Sequence, residues 1–234
     1  MMRNFFIPCS VILLVVCSIS RIHAQGSIYS FMGGLSFSNQ EKTQYQNEPF
    51  LRFHAVASVE STSDISPNAM YFRLGYHVKG SSINFGAYYD DMGIQHPSQV
   101  QSMEFHNLSG GVGWKQRRPL GSLWYSYGFG VRVDYNLFTD YGEIFEILKG
   151  AENNFTYGVD VNVAMEFPLS EFVSATIEFG VSPDLSQQIY VPPLDSGFNY
   201  SDGSPIFLPE TELKNLVYEI RAGFRFWRKV IYTD

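Results

Sequence analysis

The chain predicts an all-β fold, an eight-stranded antiparallel transmembrane up-and-down β-barrel with short periplasmic turns and long extracellular loops. Three observations predict it. Eight stretches alternate oily and polar side chains with a period of two. The connections between them alternate in length, and a leader of secretory type precedes them all. A strand sends successive side chains to opposite faces, so each stretch has one apolar and one polar face. Eight in succession behind a leader point to a barrel with its oily face toward lipid.

Residues 1–24 read as the leader. Arg3 supplies the positive start, Ile12 to Val16 the apolar centre, and Ile22-His23-Ala24 the cleavage signal, with a small residue before the cut. Lipoprotein processing at Cys17 is the competing reading, and Val15-Val16 suit it poorly. Residues 25–234 then form one barrel domain. The leader carries both cysteines, Cys9 and Cys17, so the rest of the chain holds no disulfide or thiolate metal site. Losing Arg3 and Arg21 takes Lys plus Arg from 16 to 14 against 23 Asp plus Glu, a formal charge of −9. That balance disfavours nucleic acid as a partner, because phosphate contacts need clustered cations. Beyond the leader no apolar run reaches the ~20 residues of a membrane helix. A membrane chain of this kind must close into a barrel, since every backbone group in lipid needs a partner.

Strand one, SIYSFMGGLSF, sets Tyr29, Phe31, Leu35 and Phe37 against Ser30, Gly34 and Ser36. Strand two, over 50–60, sets Leu51, Phe53, Ala55, Ala57 and Val59 against Arg52, His54, Ser58 and Glu60. In strand three, over 69–79, Met70, Phe72, Leu74, Tyr76 and Val78 alternate with Tyr71, Arg73, Gly75, His77 and Lys79. Strand four, about 104–115, has the weakest pattern, with Leu108, Val112 and Trp114 against Ser109, Gly111 and Lys115.

Strand five has the longest pattern, from Leu123 to Leu137, with Arg132 and Asp134 on its polar side. Strand six runs from Phe155 to Phe167 with Asp160 and Glu166 on that side, and Pro168 closes it, where a missing donor does no harm. Strand seven sets Val173, Ala175, Ile177, Phe179 and Val181 against Ser174, Thr176, Glu178 and Gly180. Strand eight pairs Leu216, Tyr218, Ile220, Ala222, Phe224 and Phe226 with Asn215, Glu219, Arg221, Gly223 and Arg225. The tight connections are STSDISPN, QRRPLG and PLSE; long ones follow Gly80, Thr139 and Ser182. An even strand count places both chain ends in the periplasm. Strand-end aromatics, among them Trp124, Phe138, Phe155 and Trp227, suit interfacial girdles, although strands are aromatic-rich in any case.

With the polar face turned inward, the lumen receives six cations, Arg52, Arg73, Lys79, Arg132, Arg221 and Arg225. It also receives six carboxylates, Glu60, Asp134, Asp160, Glu166, Glu178 and Glu219. An eight-stranded barrel is only wide enough to be filled by side chains. Unpaired buried charge is costly there, so the balanced set reads as a structural ion-pair network that plugs the barrel. Inward glycines at 75, 111, 128, 130, 158, 180 and 223 leave room for the long side chains. A narrow channel for small solutes is the competing reading. A secreted soluble ligand-binding barrel is another, but it needs the opposite polarity.

Chemistry beyond this is sparse. His54 and His77 share the inward face of neighbouring strands, yet no metal-binding spacing accompanies them. No GxSxG serine elbow appears. Asp90-Asp91, Asp140, Glu143, Asp195 and Asp202 in the loops lack a calcium-loop pattern. No enzyme activity and no cofactor or metal is therefore expected.

The segments GGLSFSN, RLGYHVKGSSI, EFHNLSGGVGWKQ, YGFGVRVDYNL, MEFPLS and the terminal YEIRAGFRFWRKV together resemble the PorT-like outer-membrane β-barrel family of Bacteroidota. The resemblance covers most of residues 25–234. It implies a small eight-stranded barrel in the cell outer membrane, with membrane lipid around it and insertion by the barrel-assembly machinery. Membership in a secretion system does not follow from it. Where assembly signals usually end on an aromatic residue, this chain continues past Phe226 and Trp227 to Ile231-Tyr232-Thr233-Asp234. That tail, like the extracellular loops, reads as a place for a protein partner, the last loop contributing VPPLDSGFNYSDGSPIFLPE.

Overall fold

The computed structural model describes residues 26–41, 50–62, 66–85, 87–89, 94–199, 205–208 and 210–229. The leader, the Ile231–Asp234 tail, Asp90-Asp91 and Asp202 lie outside the described residues. Eight long strands form the wall: β1 Gly26–Glu41, β2 Phe50–Thr62, β3 Asn68–Phe85, β4 Gln99–Leu120, β5 Leu123–Tyr141, β6 Phe155–Pro168, β7 Val173–Pro183 and β8 Thr211–Lys229. Each pairs antiparallel with its neighbour in chain order, and β1 pairs with β8 from Gly26↔Lys229 to Glu41↔Lys214, which closes the ring.

The side-chain polarity is inverted relative to a soluble protein. Phe53 is 78% exposed and Phe129 61% on the outer wall, while Lys79 is 0% and Glu178 1% exposed inside. Such an exterior is stable against hydrocarbon and not against water. No helix among the described residues is long and apolar enough to cross a membrane; the strands do the crossing.

The connections differ from expectation at two places: the long loop after Gly80 is shortened because β3 runs on to Phe85 and β4 starts at Gln99, and the turn after β4 is displaced. QRRPLG is not a turn. β4 continues through Gln116, Arg117, Arg118 and Pro119, paired to β5 as far as Leu120↔Leu123, and the Arg117 N–H donates to the Pro67 carbonyl (2.8 Å). Tertiary pairing overrides the local turn preference, and the turn shrinks to Gly121–Ser122, with Gly121 at φ 62°. β4, the weakest pattern in the sequence, is the longest strand of the wall. Its pattern is weak for two reasons. Ser109, Gly111 and Gly113 put little on the inner side, and above them Met103 and Phe105 face inward as apolar residues.

Those two belong to a cap at the long-loop end. Met103, Phe105, Phe145, Ile189 and Leu213 pack together there, flanked by Tyr141, Leu148, Ala151 and Val191. The 3₁₀ turn Glu143–Leu148 contributes Phe145, and the short strand Ile189–Val191 adds to the upper edge of β8. Two further short pairs, Tyr88–Tyr89 with Gln95–His96 and Leu194–Asn199 with Pro205–Leu208, lie in the loops.

Candidate functional site

Charged side chains carried inward by β2 to β8 meet in one network, which β1 joins through Gln40. At the short-turn end, the Arg117 guanidinium lies over the rings of Trp124 (4.6 Å) and Trp227 (4.1 Å) and donates to Glu166 through Nε (3.0 Å) and Nη2 (2.5 Å). These two tryptophans, expected in the girdles, clamp a cation. Arg225 bridges Glu166 and Glu60. Lys115 Nζ joins Glu60 (3.0 Å) to Glu178 (3.3 Å).

Mid-barrel, Glu178 accepts from Arg73 (2.8 Å) and lies 2.7 Å from Arg221. Arg73 also stands 4.0 Å from Asp160, whose other oxygen accepts from Ser182 (2.6 Å). Higher up, Arg132 reaches Asp134 (3.1 Å), Asp160 (3.6 Å) and Asp184 (2.5 Å). Lys79 Nζ donates to Asp134 and Asp184, both at 2.6 Å. His77 lies between Asp134 (3.2 Å) and Glu219 (3.4 Å), and Arg221 pairs with Glu219 (3.2 Å). Asn215 donates to Asp184 and accepts from Gln40, which carries the network up to the cap.

Eleven of the twelve charges named from the sequence are buried in this network: Glu60, Arg73, Lys79, Arg132, Asp134, Asp160, Glu166, Glu178, Glu219, Arg221 and Arg225. Arg52 stands apart at the long-loop rim, where it forms a two-pronged bridge with Glu104 (3.0 and 2.5 Å). Sequence reasoning placed Lys115 on the polar face of its strand without counting it among the lumen charges, and missed Asp184, Arg117 and Glu104. Among the described residues, the buried set comprises six cations (Arg73, Lys79, Lys115, Arg132, Arg221, Arg225) and seven carboxylates (Glu60, Asp134, Asp160, Glu166, Glu178, Asp184, Glu219). Arg117 at the floor brings the sides level.

Glycines make the space. A Cβ at Gly180 would lie 2.9 Å from Arg221 Nη2, and one at Gly130 would lie 2.5 Å from the Tyr71 hydroxyl. One cavity of about 10 Å³ lies beside Arg73, His77, Arg132, Asp160, Glu219 and Arg221, room for a single water. His54 sits opposite His77 in the β2–β3 ladder and is equally buried. Among the described residues, no group of three His, Cys, Asp or Glu side chains is placed to hold a metal.

No family model matches the chain, and no curated protein is similar to it. Among solved structures it is similar to the outer membrane protein OprG from Pseudomonas aeruginosa, at 9% identity and a TM-score of 0.46, covering 89% of this chain and 98% of that one. It is similar to Neisserial surface protein A at 9% identity and 0.41, covering 86% and 98%. It is also similar to the outer membrane protease OmpT from Escherichia coli at 7% identity and 0.41, covering 88% and 97%. None of them carries an activity over to this chain.

Outside the wall, one acidic group of the cap is perturbed. Burial pushes Glu152 up, but hydrogen bonding outweighs it, led by its own backbone N–H and including the Gly150 N–H (2.5 Å). Its carboxyl is held below the ordinary 4.5.

Proposed function

We propose that this chain is an integral outer-membrane β-barrel of the PorT-like type found in Bacteroidota, with a charge-paired, plugged lumen and no catalytic role. Its contribution is structural or lies in binding a protein partner, through the long extracellular loops or the Ile231–Asp234 tail. Residues 1–24 are removed on export, and the barrel-assembly machinery inserts the remainder.

One observation carries the plugged reading: carboxylates and cations interlock inside the barrel from Arg117 and Glu166 at the short-turn end up to Lys79 and Asp184. A conducting pore needs mobile water along its axis, whereas here the charges neutralise one another at hydrogen-bond distance. The test is single-channel recording of refolded residues 25–234 in planar bilayers. The expected result is no stable conductance. A reproducible open state overturns the plugged reading in favour of a narrow channel, and a chain that stays folded and soluble without detergent overturns membrane residence itself.

A further inference from the structure

The outward side of the wall on β4 and β5 is apolar in the middle and polar at both ends. On β4, Trp114, Val112, Gly110 and Leu108 face outward between Gln116 and His106. On β5, Phe129, Val131 and Val133 face outward between Tyr127 and Tyr135. Gln116 and His106 are ten residues apart. At a rise of ~3.3 Å per residue and a tilt of ~40° that is roughly 25 Å, the height of a lipid-facing band. The two polar rows therefore mark the two headgroup levels.

The rows differ in charge. At the long-loop level His106 has its own carboxylate, Asp140 at 3.3 Å, and pairs with the Tyr76 hydroxyl (2.6 Å). At the short-turn level Gln116 accepts from the Tyr127 hydroxyl and donates to Asn68 (3.2 Å). Beside them stands Arg118. Lys115 and Arg117 turn inward, so Arg118 points outward, opposite Tyr125 in the β4–β5 ladder, and is exposed. Among the described residues its guanidinium forms no ion pair or hydrogen bond. No Asp or Glu takes an outward position on the described part of β3, β4 or β5 in this half of the wall.

An unpaired cation on a lipid-facing wall is costly at the bilayer midplane and nearly free at the interface. Its position fixes Arg118 at the depth of the phosphodiester groups. A guanidinium offers a planar fork of donors that matches phosphate oxygens. Between that fork and the middle of the wall lie rings suited to the same depth. Tyr125 stacks on Tyr127 (6.4 Å), and Trp114 meets Tyr127 edge-on (6.3 Å) and Phe129 at a tilt (5.7 Å).

We infer that Arg118, with Trp114, Tyr125 and Tyr127 beside it, binds an anionic phospholipid of the leaflet at the short-turn end. The guanidinium takes the phosphodiester, and the rings take the upper part of the acyl chains. The missing carboxylate decides the lipid class. A zwitterionic headgroup brings its own cation to its phosphate, whereas a headgroup of net negative charge gains from an unopposed arginine. This inference rests on the membrane-barrel reading and names one lipid class and one site for it.

The experiment places refolded residues 25–234 in phosphatidylcholine vesicles and follows tryptophan quenching. A fixed fraction of the lipid carries brominated chains, on phosphatidylglycerol in one set and on phosphatidylcholine in the other. Trp114 lies four residues along the strand from Arg118. That is roughly 10 Å nearer the bilayer centre by the same geometry, within reach of bromines on a bound chain. Trp114→Phe isolates its share of the signal from those of Trp124 and Trp227. The comparison is repeated with Arg118→Gln and Arg118→Lys. Both keep the fold, judged by heat-modifiability on gels, because the exposed side chain has no ion pair or hydrogen bond to lose.

The expected result is that phosphatidylglycerol associates at Trp114 about fivefold more strongly than phosphatidylcholine, the scale of one arginine beside anionic lipid. Arg118→Gln brings the two lipids level, and Arg118→Lys, which keeps the charge without the fork, retains part of the preference. Equal quenching by the two lipids in the chain without substitutions overturns the site. A preference that survives Arg118→Gln overturns it as well, and either result leaves the membrane barrel standing. Quenching of Trp114 by neither lipid puts it outside the bilayer, which overturns the membrane barrel and the site with it.

Discussion

Glu178 is where the lumen network converges, and removing its charge is the sharpest test of how the interior is held. Its two oxygens serve Arg73 at 2.8 Å, Arg221 at 2.7 Å and Lys115 at 3.3 Å, with the side chain 1% exposed. Glu178→Gln keeps the shape and removes the charge. Breaking a buried pair by removing one partner costs about 3–5 kcal/mol. Each cation keeps a second carboxylate: Asp160 at 4.0 Å for Arg73, Glu219 at 3.2 Å for Arg221 and Glu60 at 3.0 Å for Lys115. That redundancy places the expected loss at the lower end, about 3 kcal/mol. For a protein of ordinary stability, about 5–15 kcal/mol, the loss is large.

The assay is urea unfolding in detergent micelles, followed by tryptophan fluorescence and by the heat-dependent gel shift of folded barrels. With urea slopes of about 1–3 kcal/mol per molar, the midpoint falls by roughly 1–3 M. Arg52→Ala is the control, because its side chain is 41% exposed at the rim and a surface pair contributes about 1 kcal/mol or less. The reasoning is refuted if Glu178→Gln unfolds at the same midpoint as Arg52→Ala. It is refuted equally if Glu178→Gln opens a conductance at unchanged stability, for the charge would then gate a pore instead of holding a core.

Three further outcomes follow from the same geometry. Val131→Arg, at a lipid-facing site 58% exposed, lowers folding stability in vesicles by about 2–4 kcal/mol, whereas on a water-facing surface the change stays within about 0.5 kcal/mol. Gly130→Ala puts a Cβ 2.5 Å from the Tyr71 hydroxyl and 2.7 Å from the Val112 carbonyl oxygen, costing about 1–3 kcal/mol in the same urea assay; adding Tyr71→Phe recovers part of that loss. Glu152 has a folded pKa below its ordinary 4.5, so its contribution to the cap is complete above that value and is lost as pH falls through the folded pKa. Amide-exchange protection of residues 142–154, corrected for the slower intrinsic exchange in acid, should accordingly fall on acidification below 4.5, and Glu152→Gln should remove that fall.

The wall was legible because a period of two is a strong constraint: once one residue of a strand is placed, all the others are placed with it. β5 alternates without a break from Tyr125 to Leu137, and β6 from Phe155 to Phe167. Lys115 was placed on the polar side of strand four yet left out of the lumen charges for a different reason. The inward positions before it on β4 are Ser109, Gly111 and Gly113, which gave it no charged neighbours to mark a polar face. Asp184 lies just past Pro183, where the strand pattern ends, and an isolated bridge to Gly158 continues the β6–β7 register three residues beyond Val161↔Val181 to bring it into the lumen. Arg117 sits in a run whose composition favours a turn, and only the ladder to β5 makes it a strand residue.

Pair identities were out of reach for a deeper reason. Alternation says which face a side chain takes, while partners across the bore depend on how far each strand is shifted along its neighbours. Arg73 meets Glu178 from four strands away, and Lys79 meets Asp184 likewise, neither through adjacent positions. Charge balance, by contrast, is a property of the whole lumen and survives ignorance of the register. Six against six from the strand pattern becomes seven against seven once Lys115, Asp184 and Arg117 enter and Arg52 moves to the rim. The β2–β3 ladder is the converse case: it stops at His54↔His77, and His77 to Ser82 are all buried, so the alternation is lost just beyond that pair for a reason the sequence pattern does not show. A barrel can thus be read strand by strand while the places where a ladder ends stay invisible, because an edge is a relation between two strands and not a property of either.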